Sequence, residues 1–219
     1  MVAPVKLAVF DCDGTLVDSA ATICAAMERA FAAFAEPWPG PESTRRIIGL
    51  SLTNAVTELL PGADAALIAG IAQAYKGAFQ QMRSKGVADG PLFPGALDAL
   101  AAIEARGWLL GIATGKSDRG LIKLLEHHGL HARFVTLQPA DRHPSKPHPS
   151  MLHQAARDAG TDALAMIGDT SFDMLMAVAA GADPIGVAWG YHPADELRAA
   201  GARAVAACFA DLPALLDAA

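Results

Sequence analysis

The sequence predicts an α/β protein: a doubly wound parallel sheet core carrying an inserted all-helical domain. Three observations support this. Short apolar runs alternate with amphipathic helical stretches from about residue 90 onward. Polar, acid-rich clusters stand at the ends of those runs. Between the first run and the rest lies a long block with only helical periodicity. Buried strands alternating with helices imply a Rossmann-like parallel sheet covered on both faces.

In chain order, VKLAVF at 5–10 is the first strand, closed by a polar loop with Gly14. Helix formers then fill 21–35, and the three prolines of EPWPGPES interrupt them. Shorter helical pieces follow at 43–50 and 51–60, and a longer one at 66–83. The second half predicts helices at 96–106, 118–128, 149–159, 172–180, 194–200 and 212–218. Strands are predicted at 108–114, 133–137, 163–168 and 184–188. Glycines 107, 129, 160 and 181 stop four of the helices. The expected division is therefore a core of residues 1–18 and 88–219 and a helical domain of residues 19–87.

With 219 residues, the chain can bury one large core and a smaller one. Hydrophobic residues are 53% of it, which excludes disorder. The formal net charge is −6 and no Lys/Arg-rich run occurs, which argues against nucleic acid or a membrane surface as partner. Cys12, Cys24 and Cys208 are scattered and odd in number, as in a reducing compartment. No apolar run reaches the roughly 18 residues of a membrane span, and Asp11 closes the N-terminal run too early for a signal peptide. The expectation is a cytoplasmic monomer or homodimer.

Ligands of parallel sheets sit outside the carboxyl ends of the strands. There the chain places Asp11-Cys12-Asp13-Gly14-Thr15, Thr114-Gly115-Lys116-Ser117 and Gly168-Asp169-Thr170-Ser171-Phe172-Asp173. Acids gathered at one edge repel each other unless a cation intervenes, and Mg²⁺ needs only one or two carboxylates with water and phosphate. Alternation along an extended chain turns Asp11 and Asp13 to one side and Cys12 to the other. Cys12 is then a buried small residue whose thiol the flanking carboxylates hold protonated. A carboxylate beside Mg²⁺ can attack phosphorus, and one two residues on can move a proton to the leaving oxygen.

Other polar groups have plainer readings. GIATGKS at 111–117 is one residue short of the phosphate-wrapping G-x-x-x-x-G-K-[ST] loop, so a P-loop nucleotide-binding protein is the weaker reading. Thr114 and the backbone N–H groups after it can still hold phosphoryl oxygens. Lys116 reads as a solvated lysine at a helix start. Lys146 lies in the proline-dense loop HPSKPHPS, stiff enough to fix an ammonium. His127, His128, His131, His143, His148 and His153 do not pair with carboxylates in a zinc pattern and read as surface or loop residues.

DCDGTLVDS, ATGKS, SKPHPSML and GDTSFDM, in this order and spacing, resemble the signature motifs of the haloacid-dehalogenase superfamily of phosphohydrolases, specifically its phosphoglycolate-phosphatase-like branch. The resemblance covers the whole chain and makes the helical domain a cap. It implies Asp11 as the nucleophile that forms an aspartyl-phosphate and Asp13 as general acid/base. Thr114 and Gly115 would hold the phosphoryl group, and Lys146 would offset charge between Asp11 and that group. Mg²⁺ would be bound by Asp11, Asp169 and the backbone carbonyl of Asp13, with Asp173 supporting its outer shell. The implied substrate is a small phosphorylated metabolite, hydrolysed as a phosphomonoester; a phosphosugar mutase or a pyrophosphatase of the same superfamily is the alternative. Asp13 argues against a dehalogenase, because halide leaves without a proton. Leu52 stands after Gly49-Leu50-Ser51 where the mutase branch has arginine, which argues against a mutase. Arg45, Arg46, Lys76 and Arg83 are the basic residues of the helical domain that could read a leaving group.

Overall fold

Residues 5–85 and 90–218 are described by the structure, a computed structural model. The first strand is β1 (Lys6–Phe10). Four helices follow: α1 (Ala20–Ala32), α2 (Gly40–Arg46), α3 (Leu52–Leu59) and α4 (Ala65–Ser84). Next come α5 (Ala96–Glu104), β2 (Trp108–Thr114), α6 (Asp118–His127), β3 (Phe134–Pro139) and α7 (Ser150–Ala159). The chain closes with β4 (Leu164–Gly168), α8 (Ser171–Ala180), β5 (Asp183–Val187), α9 (Ala194–Ala199), β6 (Ala204–Ala206) and α10 (Leu212–Asp217).

The six strands form one parallel sheet in the order β3-β2-β1-β4-β5-β6. This is a doubly wound order that reverses direction between β1 and β4, where such sheets open a crevice. Strand β1 is buried on both faces, and its side chains divide with period two. Ala8, Phe10 and Cys12 pack with Leu100, Ile103, Leu121 and Leu216 on one face. Leu7 and Val9 pack with Met151, Leu152 and Met176 on the other. Phe10 stands beside Ile112 of β2 and Ile167 of β4, so Asp11 is level with Ala113 and Gly168. Thr114 and Asp169 follow one residue further. The register alone thus gathers three strand ends within a few ångströms.

Helices α1–α4 bury their own apolar faces against each other, with Met27, Phe31, Val56 and Ile71 at the centre. The chain enters and leaves this block side by side, through an antiparallel bridge between Val17 and Leu92. The expected boundary at 87/88 lies outside the described residues.

Among the local expectations that differ from the fold, three stand out. Helix α1 stops at Ala32, short of the expected 35, and Ala35 takes a positive φ of 55°. Helix α2 starts at Gly40 instead of Ser43 and keeps Pro41 in its first turn, where a missing N–H costs nothing. The three-residue β6 was not expected; it is too short to show alternation. Gly111, first glycine of the P-loop-like run, lies inside β2 paired with Val9 and Thr136. That stretch is extended strand and cannot wrap a phosphate. No helix among the described residues is long and apolar enough to cross a membrane.

Candidate active site

Asp11, Asp169 and Asp173 each bring a carboxylate oxygen to within 4.8 Å of the others, and all three are fully buried. Two oxygens on one Mg²⁺ stand at most about 4 Å apart, given bonds of about 2.0–2.1 Å. The group is therefore close to the size of a single cation shell.

Asp169 is held by short, local parts of the fold. Its Oδ1 accepts from the Thr15 hydroxyl at 2.8 Å and its Oδ2 from the Tyr191 N–H at 2.9 Å. Gly14 has φ +86°, and a Cβ there would lie 2.2 Å from Asp169 Oδ2. Only glycine lets the turn after β1 pass this carboxylate. Asp173 is occupied differently. Its Oδ2 accepts from the Thr170 N–H at 3.1 Å and the Thr170 hydroxyl at 2.7 Å, in the capping box that opens α8. Its Oδ1 accepts from Lys146 Nζ at 2.7 Å.

Asp11 differs from both. Lys146 Nζ lies 3.1 Å from Asp11 Oδ1, an ion pair without hydrogen-bond alignment, and neither carboxylate oxygen of Asp11 has a hydrogen-bond partner. Burial pushes its carboxyl up to about 7, against the lowering pull of Lys146. Burial likewise holds Asp169 well above the usual carboxylate range, helped by the charges of Asp173 and Asp11. Burial opposes the Lys146 ammonium, but Asp11 and Asp173 outweigh it and raise its pKa. Three buried carboxylates thus face one ammonium, a surplus of two negative charges when all are ionised. A divalent cation with oxygen ligands matches both this surplus and an Asp11 carboxylate that no hydrogen bond occupies.

Asp13 stands apart from this trio. Its Oδ1 accepts from the Ser19 hydroxyl and pairs with Lys116 Nζ at 2.8 Å. Lys116 is therefore not the solvated lysine expected: its side chain is 9% exposed and its ammonium lies 5.7 Å from the Phe79 ring of α4. Thr114 is buried, and its hydroxyl accepts from the Lys116 N–H at 3.3 Å. Gly115 lies under the turn between α2 and α3, where a Cβ would come within 2.4 Å of the Leu50 carbonyl oxygen. Cys12 sits in the apolar core on the far side of the strand, and burial, then the two aspartates, raise its thiol pKa.

Ser19, Thr15, Tyr191 and His192 were not singled out from the sequence. The last two follow β5, whose carboxyl end lies on the same sheet edge, so the strand-end rule extends to them. His192 Nδ1 accepts from the Ser171 N–H at 3.1 Å, which leaves Nε2–H to donate to the Arg46 carbonyl at 3.1 Å. Arg46 pairs with Glu196 at 2.8 Å, and the Ser51 N–H donates to the Ser145 hydroxyl at 2.9 Å. These contacts tie α1–α4 to the rim of the site. Of the six other histidines, His143 is tied to Ser150 and Gln138 in the loop that leads to Lys146.

The haloacid dehalogenase-like hydrolase family model matches residues 8–187. The Dickeya dadantii protein named "Probable phosphatase IndB" is 37% identical over 212 residues, covering 94% of this chain and 91% of that protein. A phosphoglycolate phosphatase of Yersinia pestis is 32% identical, covering 93% and 89%. A solved hydrolase from Pseudomonas syringae superposes with a TM-score of 0.85 at 25% identity, over 97% of this chain and 98% of that one. With these likenesses added to the sheet order and the buried acid trio, the chain belongs to the haloacid dehalogenase-like hydrolases, in their phosphoglycolate-phosphatase-like branch, and is a phosphatase.

Proposed function

We propose that the protein hydrolyses a small-molecule phosphomonoester through an aspartyl-phosphate on Asp11, with Mg²⁺ as cofactor. The observation that carries this is the buried Asp11 carboxylate, without a hydrogen-bond partner, in a trio of acids that among the described residues is paired with one ammonium. Asp11 and Asp169, with the Asp13 carbonyl, would hold the ion, which when bound supplies positive charge against the acids and the phosphoryl oxygens.

Asp11 attacks phosphorus, and the bond from phosphorus to the leaving oxygen breaks. Asp13 gives that oxygen its proton, then takes one from the water that attacks the phosphoryl group. The bond to Asp11 breaks and inorganic phosphate leaves. Lys116 and Ser19 aim the Asp13 carboxylate. Lys146 offsets the charge of Asp11 as the phosphoryl group approaches, while Thr114 and the backbone at Gly115 hold its oxygens. Asp173 acts through Lys146 and Thr170.

Residues 19–87 serve in this reading as a cap that closes for chemistry and opens for release. The two crossings bridged at Val17 and Leu92 are the natural place for it to swing.

The test is phosphate release from 4-nitrophenyl phosphate with and without Mg²⁺. Wild type is expected to turn over only with the metal, and Asp11→Asn to lose activity. Metal-independent release, or full activity of Asp11→Asn, removes the proposal.

A further inference from the structure

A cavity of about 940 Å³ opens between α1–α4 and the sheet edge, on the Asp13 side of the acid trio. Asp11, Asp169 and Thr114 do not line it. Gly115 does line it, so in the proposed reaction the phosphoryl group sits at that end, and the space beyond Asp13 holds the leaving group.

Its size and charge are informative. A two-carbon acid displaces roughly three or four waters, about 100 Å³ at about 30 Å³ each. It would leave most of the cavity wet. Cavities of this size suit bodies several times larger. Five cationic side chains line the space, Lys76, Arg83, Lys116, Arg119 and Lys123, against the two carboxylates of Asp13 and Asp141. Asp13 pairs with Lys116, which leaves four cations against Asp141, whose carboxylate accepts from the Asp118 N–H at 2.9 Å. A positive cavity in a chain of net charge −6 marks a place built for anions. Apolar side chains line it as well, Ile23, Met27, Ile47 and the Tyr75–Phe79 ring pair at 5.8 Å, with Arg83 and Lys116 set 5.4 and 5.7 Å from the Phe79 ring. Such a lining takes the C–H face of a ring.

Resting on the phosphatase reading above, we infer that the preferred substrate is a sugar-sized phosphomonoester whose leaving group carries a second anion, a carboxylate or another phosphate. Arg119 and Lys123, exposed and one turn apart on α6, are the side chains that read that second charge.

The experiment compares kcat/KM, with Mg²⁺, for phosphoglycolate, glucose 6-phosphate, 6-phosphogluconate and glucose 1,6-bisphosphate, with 4-nitrophenyl phosphate as a control. One of the last two sugars is expected to exceed both phosphoglycolate and glucose 6-phosphate by roughly tenfold or more. Which of them leads distinguishes carboxylate from phosphate. In the Arg119→Gln/Lys123→Gln double variant, the ratio of the anionic sugar to glucose 6-phosphate is expected to fall toward one. The inference is overturned if phosphoglycolate or glucose 6-phosphate matches both anionic sugars, or if the double variant keeps the wild-type ratio. Failure to cleave 4-nitrophenyl phosphate would instead overturn the phosphatase reading itself.

Discussion

Asp11 and Cys12 are chain neighbours with opposite surroundings, and the pleat of β1 is what separates them. Cys12 joins the apolar face with Phe10, while Asp11 enters the acid trio. The four aspartates were legible because period two and strand ends are properties of local sequence. Lys146 was legible only through the family resemblance, since a lysine in a loop is ordinarily exposed. The misreading of Lys116 has the same origin: its burial comes from Asp13 and from Phe79, 37 positions away in the chain. Two predictions belong here. Asp13→Asn is expected to lower turnover of an alkyl phosphate by roughly 10²–10⁴-fold, in steady-state kinetics. Lys146→Ala leaves the buried acids without their ammonium. It is expected to cost about 3–5 kcal/mol in denaturant titration without added metal; a loss under about 1 kcal/mol would mean the acids do not depend on it.

The turn between α2 and α3 rests directly on the strand end of β2. Leu50 O would lie 2.4 Å and Gly49 O 2.7 Å from a Cβ at residue 115, and both are backbone atoms that cannot swing aside. Gly115 has no positive φ, so alanine there adds no strain of its own. Gly115→Ala is therefore expected to lift the turn, lower kcat/KM by roughly 10–100-fold and expose α1–α4 to limited proteolysis. Unchanged cleavage and unchanged kinetics would show that the turn yields freely. This close approach was not visible in the sequence, because it depends on how two distant segments meet. The regular elements were visible: β2, with seven residues, was read to the residue, whereas β6, with three, left no pattern to read.

The molecule as a whole stores unfavourable charge in its centre, and its stability should show this. The Asp11 carboxyl rises from 3.8 to about 7 on folding. Between those values the folded protein holds a proton that the unfolded chain has released. The metal-free fold therefore loses stability as pH rises through that window, and Asp169, also raised by burial, acts in the same sense. A divalent cation that displaces the proton acts in the opposite sense. Saturating Mg²⁺ is expected to raise Tm more at pH 8 than at pH 5, and at a hundredfold excess over Kd it stabilises the fold by about 2.7 kcal/mol. Equal shifts at both pH values would separate the ion from Asp11. The parallel sheet followed from apolar runs alternating with helices, and the helical block from its unbroken helical periodicity, whereas the strand order came only from the structure. So did the cavity between sheet and helices, because it is made of surfaces that no single segment carries.

The most direct measurement is mass spectrometry of the Asp13→Asn variant, acid-quenched during turnover of 4-nitrophenyl phosphate with Mg²⁺. A good leaving group departs without a proton, whereas release of phosphate from the enzyme still needs one removed from water. The account predicts a burst of one nitrophenol per enzyme and one phosphoryl group on the peptide that contains Asp11. After borohydride reduction the modified residue should read as homoserine at position 11. No covalent adduct, or an adduct on Cys12 or another residue, would contradict it.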